Sequence, residues 1–219
     1  MHRLLDPERS LALAYAPAEC RQALALLWSL DERLAAVLDI AHEPMIRAIR
    51  LAWWREALEA LDDGPAPDEP MLQAVAAELL PLGLSGAELS GLEEGWAALA
   101  DLPADPARYG RSRGTVLFGL SARLLGVETD SRLAEAGEGW ALVDQLARAG
   151  EGDREPDLRA RAANLLASAM RKRWPRRLRP IGVLTALALR DARPGGLERR
   201  RQGSPGRLLR ALAMGALGR

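Results

Sequence analysis

Residues 20–61 form the stretch that most restricts the fold of this chain. Apolar side chains there recur every three or four residues, on both sides of a short turn at His42, Glu43 and Pro44. That period matches one face of an α-helix, and proline favours the first turn of a new helix. The stretch therefore predicts two antiparallel helices joined by a tight turn.

The same helical period continues to the end of the chain. Alternating strand patterns and Asn-Gly hairpin signals are absent from the sequence, and a length of 219 residues suits one domain. We expect a single all-α domain over 1–219, built as a helical bundle with short connections. Beyond the first pair, helices are predicted at 70–80, 86–100, 107–125, 131–149, 157–173, 178–190 and 205–217.

Charge is distributed unevenly, although 30 basic and 30 acidic residues cancel overall. Residues 1–170 hold 16 basic and 28 acidic residues, whereas residues 171–219 hold 14 and 2. Such an asymmetry indicates a basic tail that either meets an anionic surface or folds back on the acidic body. Nucleic acid is not among the expected partners.

The basic segment 195–219 is predicted to contain an amphipathic C-terminal helix. Its polar side carries Arg207, Arg210 and Arg219. A basic amphipathic helix can lie on an anionic membrane as a peripheral contact. The alternative is that the helix packs on the bundle with its arginines in water. In either case the apolar side consists of Leu208, Leu209, Leu212 and Leu217.

The composition also bears on the compartment. Acidic residues lie where a signal peptide would have its apolar region. No apolar run reaches the roughly 20 residues that span a bilayer. The single Cys20 points to a reducing compartment. We expect a cytoplasmic protein, with the inner face of the membrane as a further location.

The first helical pair carries a resemblance to known enzymes. Arg21 is followed on the same helix by Asp39, and a Leu-x-x-Trp-Arg segment ends at Arg55. This arrangement resembles the opening helices of the squalene/phytoene synthase family, whose first helix carries a DxxxD pair. Counting from Arg21 places the two family aspartates on Ala35 and Asp39.

The DxxxD spacing has a physical meaning. Carboxylates four residues apart share one helix face, about 6 Å apart, and can hold Mg²⁺. Asp31 lies on the same stripe as Asp39, but eight residues separate them by roughly 12 Å, which is too far for one ion. We interpret both as surface carboxylates, in water or in salt bridges. Asp39 is retained as a candidate metal-binding remnant.

A second segment, residues 108–126, resembles the family's Tyr-containing helix that runs into a Gly-Thr-Val sequence beside the substrate. The corresponding residues are Tyr109, Gly114 and Thr115, and the resemblance implies that they bind substrate. Glycine within a helix costs roughly 1 kcal/mol against alanine. Close approach to Gly114, by a ligand or by a neighbouring helix, is the expected compensation, and both alternatives remain open.

A third segment resembles the family's second cluster, Arg-Asp-x-x-x-Asp. When Arg148 is aligned with the family arginine, Ala149 and Asp153 align with the two aspartates of the motif. Gln145 then aligns with a family asparagine. The resemblance implies that Gln145 and Arg148 contact a diphosphate or a buried acid, and that Asp153 is a metal-binding remnant. Asp144 is interpreted as a carboxylate at the edge of the core, paired with an arginine.

The resemblance implies an isoprenoid-synthase-like bundle around a central cavity, somewhat truncated after the second cluster. In this register Ala35 and Ala149 face each other across the cavity, with Asp39 and Asp153 near its mouth. Both leading aspartates are alanine, although Mg²⁺ normally stabilises the diphosphate leaving group. We therefore expect no resident cofactor. Beyond the remnants Asp39 and Asp153, we assign no catalytic or metal-binding residue.

The predicted function is a non-catalytic isoprenoid-binding, assembly or scaffold protein. It resembles the family's non-catalytic branch, which in eukaryotes is associated with assembly of respiratory complex I. The implied partners are a prenyl diphosphate or another isoprenoid lipid, and a protein. The alternative is an active prenyltransferase that uses Mg²⁺ to condense two prenyl diphosphates head to head.

Overall fold

A computed structural model describes residues 4–40, 43–101, 103–149 and 156–219, and every regular element in these ranges is helical. The all-α prediction is confirmed, and the ends of the helices predicted from residue 70 onward lie within four residues of those observed. His42, in the predicted turn, lies outside the described residues. The α-helices are α1 (Pro7–Leu13), α2 (Ala18–Ile40), α3 (Pro44–Glu59), α4 (Pro70–Glu78), α5 (Gly86–Ala100), α6 (Pro106–Tyr109), α7 (Thr115–Leu124), α8 (Ser131–Arg148), α9 (Pro156–Ala169), α10 (Arg179–Ala192) and α11 (Pro205–Leu217).

Local sequence determines where the helices begin. At the start of α5 the Ser85 hydroxyl accepts from the Glu88 N–H, and the Glu88 carboxylate accepts from the Ser85 N–H. This capping box satisfies two of the amide groups that a helix start leaves without partners. Asp130 caps α8 in a similar way. Proline, which suits the first turn, opens several of the other helices: Pro7, Pro44, Pro70, Pro106, Pro156 and Pro205.

Helix α8 lies between several neighbours and contacts α7, α9 and α10. Helix α5 packs along α3, and α2 contacts both α5 and α7. Helices α1 and α11 pack on α10. Within the described residues, no helix is both long enough and apolar enough to cross a membrane.

The helix predicted at 107–125 is interrupted by a π-helical turn at Gly110–Gly114. Gly114 lies directly against Gly137 of α8, since a Cβ atom on either residue would collide with the backbone of the other. The close approach that was expected to compensate for Gly114 is therefore made by a neighbouring helix. The turn also directs Arg113 inward, where it is 1 % exposed.

Helix α11 packs on the bundle, but not in the orientation predicted. Arg207, predicted on the polar side, is buried and ion-paired with Glu8 of α1 and Asp191 of α10. The face that meets the bundle consists of small or flexible residues, Ala211, Met214 and Gly215. The prediction was wrong because these buried carboxylates hold the arginine inside. The side predicted to be apolar is exposed instead, at Leu208, Leu209, Leu212 and Leu217.

Candidate functional site

A buried arginine in the interior, which the sequence did not single out, joins two helices. The Arg113 guanidinium donates to both oxygens of Asp31 on α2, from Nε to Oδ1 at 2.8 Å and from Nη2 to Oδ2 at 2.7 Å. Its remaining nitrogen, Nη1, donates to Asp144 Oδ2 on α8 at 2.7 Å and also to the Tyr109 hydroxyl. One guanidinium therefore pairs with two carboxylates from opposite sides.

Asp31 is fully buried, so its predicted position at the surface was wrong. Besides Arg113, its carboxylate accepts from Trp96 Nε1 at 2.9 Å and from Arg9 Nη2 at 2.5 Å. Burial by itself raises the pKa of the Asp31 carboxyl, but the charges of Arg113 and Arg9 outweigh burial and hold the pKa well below its ordinary value. Asp31 is therefore a carboxylate at neutral pH, and each of its oxygens accepts two hydrogen bonds.

Asp144 lies at the edge of the same cluster, and its predicted pairing with an arginine is confirmed. Its side chain is 23 % exposed and contacts both Arg113 and Arg148, the latter at 3.1 Å from Nε. The Tyr109 hydroxyl donates to it at 2.9 Å. Burial raises the pKa of the Tyr109 phenol, so the phenol stays protonated and acts as a donor.

Aromatic rings surround the guanidinium. The Arg113 Cζ atom lies 4.1 Å from the centre of the Trp96 ring, 4.6 Å from that of Trp140 and 5.1 Å from that of Tyr109. Rings at these distances attract a cation through their electron-rich faces. The chain's own guanidinium occupies this cage.

Asp39, one of the two predicted metal remnants, lies outside the buried cluster. Asp39 is exposed, and its carboxylate is 3.6 Å from Arg148 Nη1, so the C-terminal ends of α2 and α8 lie side by side. Ala35 is buried on α2, and Ala149 directly follows α8. Asp153 lies outside the described residues. Its predicted position near Asp39 stays a prediction.

The residues predicted to bind substrate have different surroundings. Tyr109 and Gly114 are buried and contact other parts of the chain, whereas Arg148 lies at the surface between Asp39 and Asp144. Gln145 is half-buried, and Thr115 is exposed in a groove of about 600 Å³ between α7 and α8. Their roles toward a substrate stay predictions.

A second groove lies between α2 and α3 and was not predicted. It has a volume of about 430 Å³, and apolar side chains form much of its wall. Two apolar side chains on the outer face of α3, Ile49 and Trp53, line the groove. They are 63 % and 45 % exposed. Arg33 and Arg50 lie at its edges. We call this the α2–α3 groove.

A comparison with protein-family models matches residues 3–155 to the squalene/phytoene synthase model, which is well over half of the chain. The chain belongs to the squalene/phytoene synthase family. No curated protein and no solved structure matches it. Members of this family bind prenyl diphosphates, and the active ones depend on Mg²⁺.

The described residues do not fit the paired Mg²⁺ sites of an active squalene/phytoene synthase. Magnesium takes oxygen ligands, usually one or two carboxylates together with phosphate and water. Asp31 already accepts hydrogen bonds at both oxygens, and Asp39 faces Arg148. Across the described ranges, no three acidic, histidine or cysteine side chains lie close enough together to hold a metal ion.

Proposed function

We propose that this squalene/phytoene synthase family member is non-catalytic and acts by binding an isoprenoid or as an assembly or scaffold protein. The observation that carries this proposal is the pairing of Arg113 with Asp31 and Asp144. A metal ion at these carboxylates would have to displace a guanidinium that is covalently part of the chain and held by aromatic rings. This arrangement favours an interior in which Arg113 neutralises the carboxylates, rather than an interior that binds a metal ion and a diphosphate.

The α2–α3 groove supports the isoprenoid-binding form of the proposal. Its volume lies within the range of small-molecule sites. Apolar walls suit a prenyl chain, and Arg33 and Arg50 can bind an anionic head group through charge-assisted hydrogen bonds. Glu69, the acidic residue in its lining, lies 3.6 Å from Arg33. The groove thus offers binding contacts without a pair of carboxylates for a metal.

The exposed face of α3 supports the assembly or scaffold form. Met45 is 74 % exposed and Ile49 63 % exposed on this helix, close to Ile40 at the end of α2, which is 63 % exposed. Contiguous apolar side chains at a surface commonly mark a binding site for a protein or a ligand. A protein partner in respiratory complex assembly remains part of the proposal.

Turnover tests the non-catalytic part of the proposal. The purified protein would be incubated with Mg²⁺ and either farnesyl or geranylgeranyl diphosphate, beside an active family enzyme as the positive control. We expect neither a condensed hydrocarbon nor released diphosphate. Product that accumulates with time and disappears on chelation of Mg²⁺ would overturn the proposal in favour of a head-to-head prenyltransferase.

Binding tests the isoprenoid part, with Trp53 as the internal reporter. Titration with farnesyl diphosphate in the presence of a chelator should change tryptophan fluorescence saturably. Trp53→Phe should remove most of that change, and Ile49→Gln should weaken binding several-fold. Leu82→Gln, at a leucine that is 60 % exposed outside the groove, is the matched control. No saturable change in the wild type would reject isoprenoid binding and leave the scaffold form.

A further inference from the structure

Helix α11 is fixed to the bundle near both ends. Toward its start, Arg207 Nη2 donates to Glu8 at 2.8 Å and to Asp191 at 3.0 Å. At its end, the carbonyl of Gly218 accepts from the Trp174 N–H at 2.8 Å. These contacts set the rotation of the helix about its axis. Its outward face therefore cannot turn inward without breaking buried ion pairs.

That outward face is apolar. Leu208, Leu209 and Leu212 are 41 %, 67 % and 53 % exposed, and their spacing of one and four residues places them on one side of the helix. Single exposed leucines are ordinary, but a contiguous group marks a surface that another phase or molecule covers. We call these three residues the α11 leucine face.

Cations without acidic partners lie beside the α11 leucine face. The Arg190 guanidinium lies against Gly206 in the first turn of α11. A Cβ atom added to Gly206 would lie 3.0 Å from the terminal nitrogens of Arg190. Partial burial and the nearby charge of Arg193 lower the pKa of Arg210. Within the described ranges, none of Arg190, Arg193 and Arg210 forms an ion pair with a carboxylate.

The acidic residues of this part of the chain are already engaged. Residues 171–219 hold 14 basic and 2 acidic residues. Asp191 is paired with the buried Arg207, and Glu198 lies 2.8 Å from Arg159 of α9. Acidic residues of the body pair with Arg177, Arg200 and Arg207 of this segment. Within the described ranges, Arg190, Arg193 and Arg210 therefore keep their positive charge beside the α11 leucine face.

We propose that the α11 leucine face rests on an anionic lipid bilayer, with Arg190, Arg193 and Arg210 at the lipid phosphates. Leucines in the acyl boundary and arginines among the head groups are the arrangement of an interfacial amphipathic helix. A second copy of the chain is a poorer occupant, because a two-fold contact pairs this patch with itself and so brings both sets of arginines into one interface. This inference goes beyond the proposed function and holds whether or not the α2–α3 groove binds an isoprenoid.

Vesicle flotation with the full-length protein tests the proposal. Vesicles of phosphatidylcholine alone are compared with vesicles that also contain phosphatidylglycerol, at low and high salt. We expect binding to the anionic vesicles only, and weaker binding at high salt, because salt screens charges beyond about 10 Å at 0.1 M. Absence of binding to the anionic vesicles at low salt, or equal binding to both vesicle types, would overturn the proposal.

Two variants separate the apolar contribution from the ionic one. Leu209→Gln with Leu212→Gln should lower partitioning to anionic vesicles by about a hundredfold, since each buried leucine contributes about tenfold. Arg190→Gln with Arg210→Gln should lower partitioning by about 25-fold at low salt, at about fivefold per arginine, and should flatten the salt dependence. These substitutions leave Arg207 in place, whereas deletion of 195–219 would expose its two carboxylate partners.

Controls distinguish this surface from others on the molecule. Leu82→Gln removes an exposed leucine elsewhere and should bind vesicles as the wild type does. Ile49→Gln with Trp53→Gln alters the exposed face of α3, and loss of binding in that variant alone would reject α11 as the contact. A dimer in light scattering that dissociates in the Leu209 and Leu212 variant would reject the bilayer in favour of a second copy.

Discussion

Replacing Arg113 with methionine tests whether the buried guanidinium holds the interior together. Methionine has a similar length but no charge, so Arg113→Met leaves Asp31 fully buried with Arg9 as its one cationic partner. Removing one member of a buried ion pair typically costs about 3–5 kcal/mol, because the other charge remains out of water. A domain of this kind has about 5–15 kcal/mol in total. The variant should therefore fold but lose a large share of its stability.

Urea unfolding followed by tryptophan fluorescence measures this loss. Guanidinium chloride is unsuitable as the denaturant, because its ions can compete with Arg113 for the two carboxylates. Arg113→Ala, whose short side chain leaves the aromatic cage empty, gives a second readout, as millimolar methylguanidinium should raise the melting temperature of this variant but not that of the wild type. Arg111→Met, in the same π-helical turn but exposed, is the matched control and should change stability by less than about 0.5 kcal/mol. If the unfolding free energies of Arg113→Met and Arg111→Met differ by less than about 1 kcal/mol, the Arg113 guanidinium does not hold the interior together.

The pH dependence of the same variant has a definite sign. The folded-state pKa of Asp31 is lowered in the wild type, so its ionisation stabilises the fold above the unfolded pKa of about 3.9, and that stability is lost as the pH falls further. Without Arg113 the pKa of Asp31 rises, because burial then acts against fewer positive charges. Protonation of Asp31 in the variant then removes the buried negative charge that Arg113 no longer neutralises. The difference in unfolding free energy between wild type and Arg113→Met should shrink below about pH 4.

Three further substitutions test other contacts of the fold. Gly137→Ala should destabilise by about 1–3 kcal/mol in thermal unfolding, since its Cβ would collide with the facing backbone of the π turn, whereas Gly119→Ala, which has room for a Cβ, should be neutral or stabilising. Arg207→Met should cost about 3–5 kcal/mol at neutral pH, because Glu8 and Asp191 lose their closest buried partner and keep only longer contacts to Arg200. The cost should be smaller at acidic pH, since burial already raises the pKa of the Asp191 carboxyl and its protonation removes one buried charge; an equal loss at neutral and acidic pH would contradict this explanation. Arg148→Gln removes the exposed pair with Asp39 and one of the two arginine partners of Asp144; because Arg113 still pairs with Asp144, the variant should change stability by about 1 kcal/mol or less.

The helices were predictable from the sequence because their apolar periods are local. Proline and capping residues mark many of the starts, and the all-α class follows from the period alone. The π turn at Gly110–Gly114 was not predicted, because it results from the packing of Gly114 against Gly137, which are 23 positions apart. Tertiary contact decided the local geometry there.

The buried charges could not be located from the sequence in the same way. The two arginine partners of Asp31 are 22 and 82 positions away in the sequence, so no local pattern shows the pairing. One signal was available, since Asp31 falls between Leu27 and Leu34 on the stripe that is buried in α2. Arg207 likewise lies on the side of α11 that carries its small residues. In both cases a charged residue among core positions indicates a distant counter-charge.

The most direct measurement of the proposed non-catalytic role is diphosphate release from farnesyl diphosphate in the presence of Mg²⁺. It would be made on the wild type and on Ala35→Asp with Ala149→Asp, which restores both leading aspartates of the family clusters. We predict no release by the wild type, and for the restored variant tighter Mg²⁺ binding without efficient turnover, because Arg113 still occupies the interior. Mg²⁺-dependent release with a condensed product from the wild type would contradict the proposal.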